Sequence, residues 1–207
     1  MSSNKRGKNI YLIRHGSILQ QGSERRYIGQ SDLPLSRDGV WQSQLLHLNF
    51  KGKEISTAFC SDLVRSLDTA CIICRGITDS VTIRPALREI NMGTWEGKSF
   101  REIAQAHPGE YRQRGNDIAN YRIPGAESFK ECQDRILKAF FAIMESVEGN
   151  VLIVGHAGAN RLLLCHLLGM PIENMFRIAQ DYACINILAG TGDNYQVKLL
   201  NGTCRKE

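Results

Sequence analysis

Four consecutive apolar residues, Val151, Leu152, Ile153 and Val154, stand between Gly149-Asn150 and Gly155. A strand with one wet face alternates apolar and polar side chains, so a run that is apolar throughout demands cover on both faces. Lys8–Arg14 (KNIYLIR) has the same character, and Thr57–Cys60 and Val81–Ile83 are shorter runs of the kind, the last halted by Pro85. Helical patterns lie between them. Ser36 is placed to cap a helix whose apolar positions are Val40, Trp41, Leu45 and Leu48, and Ser61 or Asp62 to cap one with Leu63, Leu67, Ala70, Cys71 and Cys74 on one face. Ser128 opens a long helix with Phe129, Cys132, Ile136, Phe140, Met144 and Val147 in one stripe, ended by Gly149-Asn150. Residues 158–168 form the next helix, and 184–189 and 196–200 read as two closing strands. Strands alternating with helices predict an α/β layered domain with a mostly parallel sheet. Residues 93–124 carry the weakest signal, with a short helix over 99–107 and the rest rich in Arg, Tyr, Asn and Gly.

The 207 residues suffice for one sizeable core and are short for two, so a single domain over 1–207 is expected. Residues 1–8 read as flexible and 98–126 as a cap-like segment. The start is polar and basic, and the apolar stretch after it is too short for a signal peptide. No apolar run approaches the ~20 residues of a membrane helix. A cytoplasmic protein is expected, and its seven Cys read as reduced thiols packed like small hydrophobes. Cys71 and Cys74 have CxxC spacing, but no second pair lies at zinc spacing, so helix packing is the favoured reading. The net charge of +5 suits a small anionic substrate and lacks the basic stripe of a nucleic-acid binder. A homodimer is compatible with the sequence and not required by it.

Two strand ends deliver a histidine into glycine-containing sequence: Leu12-Ile13-Arg14-His15-Gly16 and Val154-Gly155-His156-Ala157-Gly158. Ligands of open α/β sheets bind beyond the carboxyl ends of the strands. The amides of a helix beginning near Gly158 are suited to an anion. Together with Arg14 these ends suggest a phosphate pocket. His47, His107 and His166 lack such contexts and read as structural. No HxH or HExxH spacing exists, so neither a metal nor a cofactor is expected.

Tyr11-Leu12-Ile13-Arg14-His15-Gly16 resembles the signature of the histidine phosphatase superfamily, which includes the phosphoglycerate mutases. Three further segments resemble that family's markers in order: 61–66 (SDLVRS) its second arginine motif, 87–97 (LREINMGTWEG) its acid motif, and 155–161 (GHAGANR) its second histidine motif. The resemblance spans nearly the whole chain and implies a phosphoglycerate mutase-like, three-layer α/β/α sandwich. It implies that His15 is the nucleophile and forms a phosphohistidine, which requires one ring nitrogen with a free lone pair and the other donating to something fixed, such as a backbone carbonyl. Arg14, Arg65 and His156 are then the phosphate-binding donors. Losing one such donor typically costs ~3 kcal/mol of transition-state stabilisation. Glu89 becomes the proton donor to the leaving alkoxide and then the base for water, and an incoming phosphate dianion favours its protonated form. Glu96 is the rival acid. Glu89 is preferred because the family motif places the donor ahead of the glycine matched by Gly93.

Gln21, Arg26 and Ala157 are weaker site candidates. Many family members continue after the first motif with Glu-Thr and then a phosphate-binding Asn, where this chain has Ser17-Ile18 and Gln21. Arg26 reads as a substrate contact or as a solvated loop residue, and both readings stay open. Ile123-Pro124-Gly125-Ala126-Glu127-Ser128-Phe129 resembles a motif of small phosphatases, including the α-ribazole phosphatases of cobalamin assembly. The implied activity is a metal-independent phosphomonoesterase acting on a small phosphorylated metabolite, with α-ribazole 5′-phosphate the leading substrate. A phosphomutase and a non-catalytic phosphate-binding module are the alternatives. Arg112, Arg114, Asn116 and Asp117 read either as substrate contacts or as a solvated cap.

Overall fold

The computed structural model describes residues 8–20, 22, 24–192 and 194–204. The expected flexibility at 1–8 falls almost wholly outside these residues, and Gln21 lies outside them. Six strands form one sheet: β1 (Lys8–Arg14), β2 (Thr57–Cys60), β3 (Val81–Ile83), β4 (Val151–Gly155), β5 (Ile185–Thr191) and β6 (Asn194–Gly202). Their order across the sheet is β3-β2-β4-β1-β5-β6. The β3-β2, β2-β4 and β4-β1 pairings are parallel, whereas β1-β5 and β5-β6 are antiparallel. The sheet is therefore mixed. The chain between β5 and β6 is too short for a crossover, which forces the antiparallel hairpin.

The all-apolar runs are covered on both faces, as their composition requires. Ile10, Leu12, Val151 and Ile153 point to the side of α5 (Phe129–Ser146) and α6 (Ala157–Leu167). Ile13, Leu152 and Val154 point to the side of α1 (Arg37–Phe50) and α2 (Val64–Cys74). Three layers result. Phe129, Cys132, Ile136, Phe140 and Met144 of α5 are buried along the expected stripe, and Ser128 caps the helix reciprocally with Glu131.

Helices α1 and α2 turn other faces inward than their apolar spacing suggests. In α1, Gly39, Ser43, Leu46 and Phe50 are buried, while Val40, Trp41 and Leu48 are exposed. The cause is a close crossing. A Cβ at Gly39 would collide with the Ser17 carbonyl oxygen, so this glycine lets the chain after β1 pass against the helix. Ser43 then donates to the Gly39 carbonyl at 2.7 Å. In α2, Arg65, Ser66 and Thr69 are buried beside Ala70 and Cys74, and Cys71 is exposed. Ser66 Oγ donates to the Val154 carbonyl at 2.8 Å, and Thr69 Oγ1 accepts from Gly16 N at 3.1 Å. Polar anchors to the strand ends override apolar spacing. Neither Ser61 nor Asp62 is the cap: Leu63 occupies that position, and Asp32 Oδ1 accepts from Val64 N at 2.7 Å.

In the middle of the chain, α3 (Phe100–Ala106) begins at Ser99 with a reciprocal cap from Glu102, as expected. A further helix, α4 (Pro108–Asn116), buries no residue and so has no apolar period to announce it. These helices pack around Tyr27, Trp95, Ile103 and Ile123. Arg114 lies over the rings of Phe129 (5.1 Å), Tyr27 (5.6 Å) and Trp95 (5.8 Å). Of the four polar residues weighed for this segment, Arg114 thus serves packing, while Arg112, Asn116 and Asp117 are exposed. Among the described residues, no helix is long and apolar enough to cross a membrane.

Candidate active site

The parallel strands β1 and β4 end side by side, Arg14 opposite Gly155, so the residues that follow them, His15 and His156, emerge as neighbours. Their ring centroids lie 5.1 Å apart. His15 is 4% exposed and its Nδ1 lies 2.7 Å from the Gly16 carbonyl oxygen. A carbonyl only accepts, so Nδ1 carries the proton and Nε2 keeps its lone pair. Burial first, and then the Arg14 and Arg65 charges, hold His15 well below its ordinary value of 6.5. The ring is neutral at neutral pH, with the Nε2 lone pair unprotonated.

His156 is fully buried, and burial followed by His15, Arg65 and Arg14 keeps it neutral as well. Its Nε2 lies 2.8 Å from Ser61 Oγ, which accepts from Leu63 N at 3.3 Å. In the tautomer in which the Ser61 hydroxyl donates to Nε2, the single ring proton sits on Nδ1. That atom is buried and has no protein partner. The Nε atoms of Arg14 and Arg65 share this condition. A buried donor without a partner costs about 1–3 kcal/mol. Three such donors beside one nucleophilic nitrogen constitute a cradle for acceptor oxygens.

The rest of each guanidinium is tied to the protein. Arg14 Nη1 donates to the Gln180 carbonyl at 2.6 Å, and its plane stacks on Tyr182 with Cζ 3.7 Å from the ring centroid. Gln180 is fixed in turn by Asn160 and Asn186. Arg65 Nη1 and Nη2 donate to the carbonyls of Ser31 and Gly29, both at 2.6 Å.

Glu89 is 7% exposed and accepts three amides: Ile90 N (2.9 Å) and Ala159 N (3.0 Å) on Oε1, and Gly158 N (2.8 Å) on Oε2. Helix α6 has no local side-chain cap, so Glu89 serves as its anion. These two α6 amides were expected to meet a phosphate; they are taken by Glu89 instead. A Cβ at Gly158 would lie 2.6 Å from Glu89 Oε1, which explains the glycine. Behind it, Arg135 donates to the carbonyls of Ala86 (2.8 Å) and Arg88 (3.0 Å) and pairs with Glu127. Arg88 grips Asp62, tying the acid segment to the start of α2.

A cavity of about 360 Å³ opens here, lined by Arg14, His15, Arg65, Glu89, Ala157 and Tyr182 among others. Arg26 also reaches it, with Nη1 bound to the Gly97 carbonyl at 2.9 Å and near Glu102. Glu96 does not line it, because its carboxylate is taken up by the amides of residues 29–31. A larger, more open cleft of about 670 Å³ lies at the amino-terminal end of β2, where Lys51 and Arg75 follow the carbonyl ends of α1 and α2. The site thus joins His15, Arg14, Arg65, His156, Glu89 and Ala157. Ser61, Gln180 and Tyr182 were not foreseen in these roles, and only Ser61 stood inside a recognisable motif.

The model of the histidine phosphatase superfamily (branch 1) matches residues 10–203. The chain belongs to this superfamily. The "Probable phosphoglycerate mutase GpmB" of Salmonella choleraesuis is 35% identical over 163 residues, covering 78% of this chain and 75% of the relative. Among solved structures, the α-ribazole phosphatase of Shigella flexneri superposes with a TM-score of 0.85 at 29% identity, over 96% of this chain and 99% of that one. Bacillus stearothermophilus YhfR gives 0.85 at 28% identity, over 95% and 98%. As a superfamily member the protein shares its fold with phosphatases and mutases of small phosphorylated compounds.

Proposed function

We propose that the protein is a phosphomonoesterase that hydrolyses a small phosphorylated metabolite through a phosphohistidine on His15. The observation that carries this reading is the trio of unpartnered buried donors, Arg14 Nε, Arg65 Nε and His156 Nδ1, around a histidine whose Nε2 lone pair is free. Nε2 attacks phosphorus while the three donors take the phosphoryl oxygens and their growing charge. The bond from phosphorus to the ester oxygen breaks, and Glu89 gives that oxygen a proton. Oε2 accepts one amide against two on Oε1, so it has room for the proton. Glu89, now a carboxylate, takes a proton from water as the water oxygen bonds to phosphorus. The phosphorus–nitrogen bond breaks, and His15 and inorganic phosphate are released.

Two arginines offset the phosphoryl charge, so turnover should persist in a chelator. In the same reading the chain works as one domain, with residues 98–126 forming a cap that contributes Phe100 to the pocket wall. The 123–129 segment and the likeness to the Shigella enzyme favour α-ribazole 5′-phosphate as substrate. The Salmonella relative's name supports a second reading, phosphoryl transfer within a phosphoglycerate. Rapid quenching at alkaline pH followed by mass spectrometry should find phosphate on the peptide containing His15, and His15→Ala should lose both the adduct and turnover. Retained activity in His15→Ala overturns the mechanism. Phosphate release against isomer formation from 3-phosphoglycerate separates the two readings.

A further inference from the structure

Arg65 holds the phosphoryl cradle, yet among the described residues no carboxylate lies within ion-pair distance of it. Its orientation comes from two carbonyls, those of Gly29 and Ser31. Those carbonyls belong to a loop whose amides all face Glu96. Gly29 N (2.8 Å) and Ser31 N (3.1 Å) donate to Oε1, and Gln30 N (3.3 Å) donates to Oε2. The peptide unit joining Gly29 to Gln30 is therefore gripped at both ends: its carbonyl oxygen accepts from Arg65 and its N–H donates to Glu96. Its dipole lies along the line between the two charges, and each hydrogen bond strengthens the other.

We propose that Glu96 is a positioning residue for phosphoryl binding, acting on Arg65 through the peptide groups of residues 29–31. The proposal rests on the phosphoryl-transfer reading of the site. A carboxylate placed directly on Arg65 would compete with the substrate for the guanidinium. Relayed through peptides, Glu96 fixes the guanidinium plane and leaves Nε–H and the positive charge to the ligand. Gln30 extends the coupling, since its Nε2 donates to the Glu89 carbonyl at 3.0 Å. The loop that aims the phosphate-binding arginine thus also touches the backbone of the proton donor.

The test is a set of double-mutant cycles read as orthovanadate affinity and as kcat/KM for p-nitrophenyl phosphate, with melting temperature followed in parallel. Glu96→Gln keeps the shape but presents an NH2 group to one of the amides. It should weaken both readouts roughly 10–100-fold, the scale of a misplaced binding group. In an Arg65→Lys background the same change should cost no more than about twofold, because the relay no longer has its target. In an Arg14→Lys background the full factor should remain. Glu96→Asp, which keeps the charge one methylene back, should recover part of the loss. Should Glu96→Gln fail to melt cooperatively, Glu96→Asp in the same two backgrounds carries the test. Wild-type vanadate affinity in Glu96→Gln, or an equal loss in all backgrounds, overturns the relay. A wild-type protein that neither binds vanadate nor cleaves the ester overturns the phosphoryl-transfer reading itself, and the relay with it.

Discussion

Glu89 and Glu96 stand in one short segment and look alike locally, each accepting three backbone amides. They differ in what those amides belong to. The partners of Glu89 include the first turn of α6, and Glu89 lines the cavity together with Arg14, His15 and Arg65. Those of Glu96 form a loop whose other side holds Arg65, and its carboxylate is sealed behind that loop. Counting hydrogen bonds therefore does not tell a carboxylate that lines the cavity from one that is sealed away from it. The side each leaves open does.

The sharpest way to break this comparison is the leaving group. An alkoxide must be protonated as it departs, whereas p-nitrophenolate is stable as an anion. Glu89→Gln should slow transfer from alkyl phosphates by roughly 10²–10⁴-fold and from p-nitrophenyl phosphate far less. Glu96→Gln should slow both alike. The comparison belongs in kcat/KM or the burst, because Glu89 also serves dephosphorylation in this scheme. Equal losses for both esters in Glu89→Gln would remove it as the acid, and a selective loss in Glu96→Gln would transfer the role.

A smaller effect should come from displacing Glu89 without changing it. Gly158→Ala puts a methyl group 2.6 Å from Oε1. The carboxylate must shift, and kcat/KM for alkyl phosphates should fall roughly 10–100-fold. Vanadate affinity, which reports on Arg65, should stay within about threefold. A joint collapse of both readouts would show that the two carboxylates are not separable.

The least change is expected from pH. His15 and His156 are held neutral in the fold by burial and by the neighbouring cations, whereas in the unfolded chain they protonate below about 6.5. There the unfolded state binds more protons, so stability falls as pH drops from 6.5 toward the lowered folded values. Each histidine contributes a slope of about 0.7 kcal/mol per pH unit at pH 6.5, rising toward about 1.4 below it. Urea-derived unfolding free energies in phosphate-free buffer should therefore show a loss of about 2 kcal/mol between pH 6.5 and 5.5. A flat profile would mean that the histidines are not held neutral.

Much of the site was legible because its residues follow strand ends. His15 and His156 terminate the two most apolar runs of the chain, and runs buried on both faces lie side by side at the sheet centre, so their ends converge. Arg65 was legible only through its motif, since a buried arginine in the second position of an apolar helix has no periodic signature. Tyr182 and Gln180 had no local signal, because each acts on Arg14 from the stretch that leads into β5. Helix α4 was invisible for a different reason: nothing in it is buried, so no apolar period marks it.

By itself the amino-acid sequence determined the α/β layering, the stripe of α5, the local caps at Ser36 and Ser128, and the placing of His15 and His156 at strand ends. These rest on interactions within a few residues along the chain or on runs whose composition admits one environment. Tertiary structure decided which faces of α1 and α2 turn inward, and which distant carboxylates cap α2 and α6. It also decided which of the two glutamates lines the cavity. Glu89 reaches Gly158 N across 69 positions of sequence, and Arg65 reaches the Ser31 carbonyl across 34. No local propensity encodes such contacts; they exist only once the parallel strands have brought their ends to one edge of the sheet.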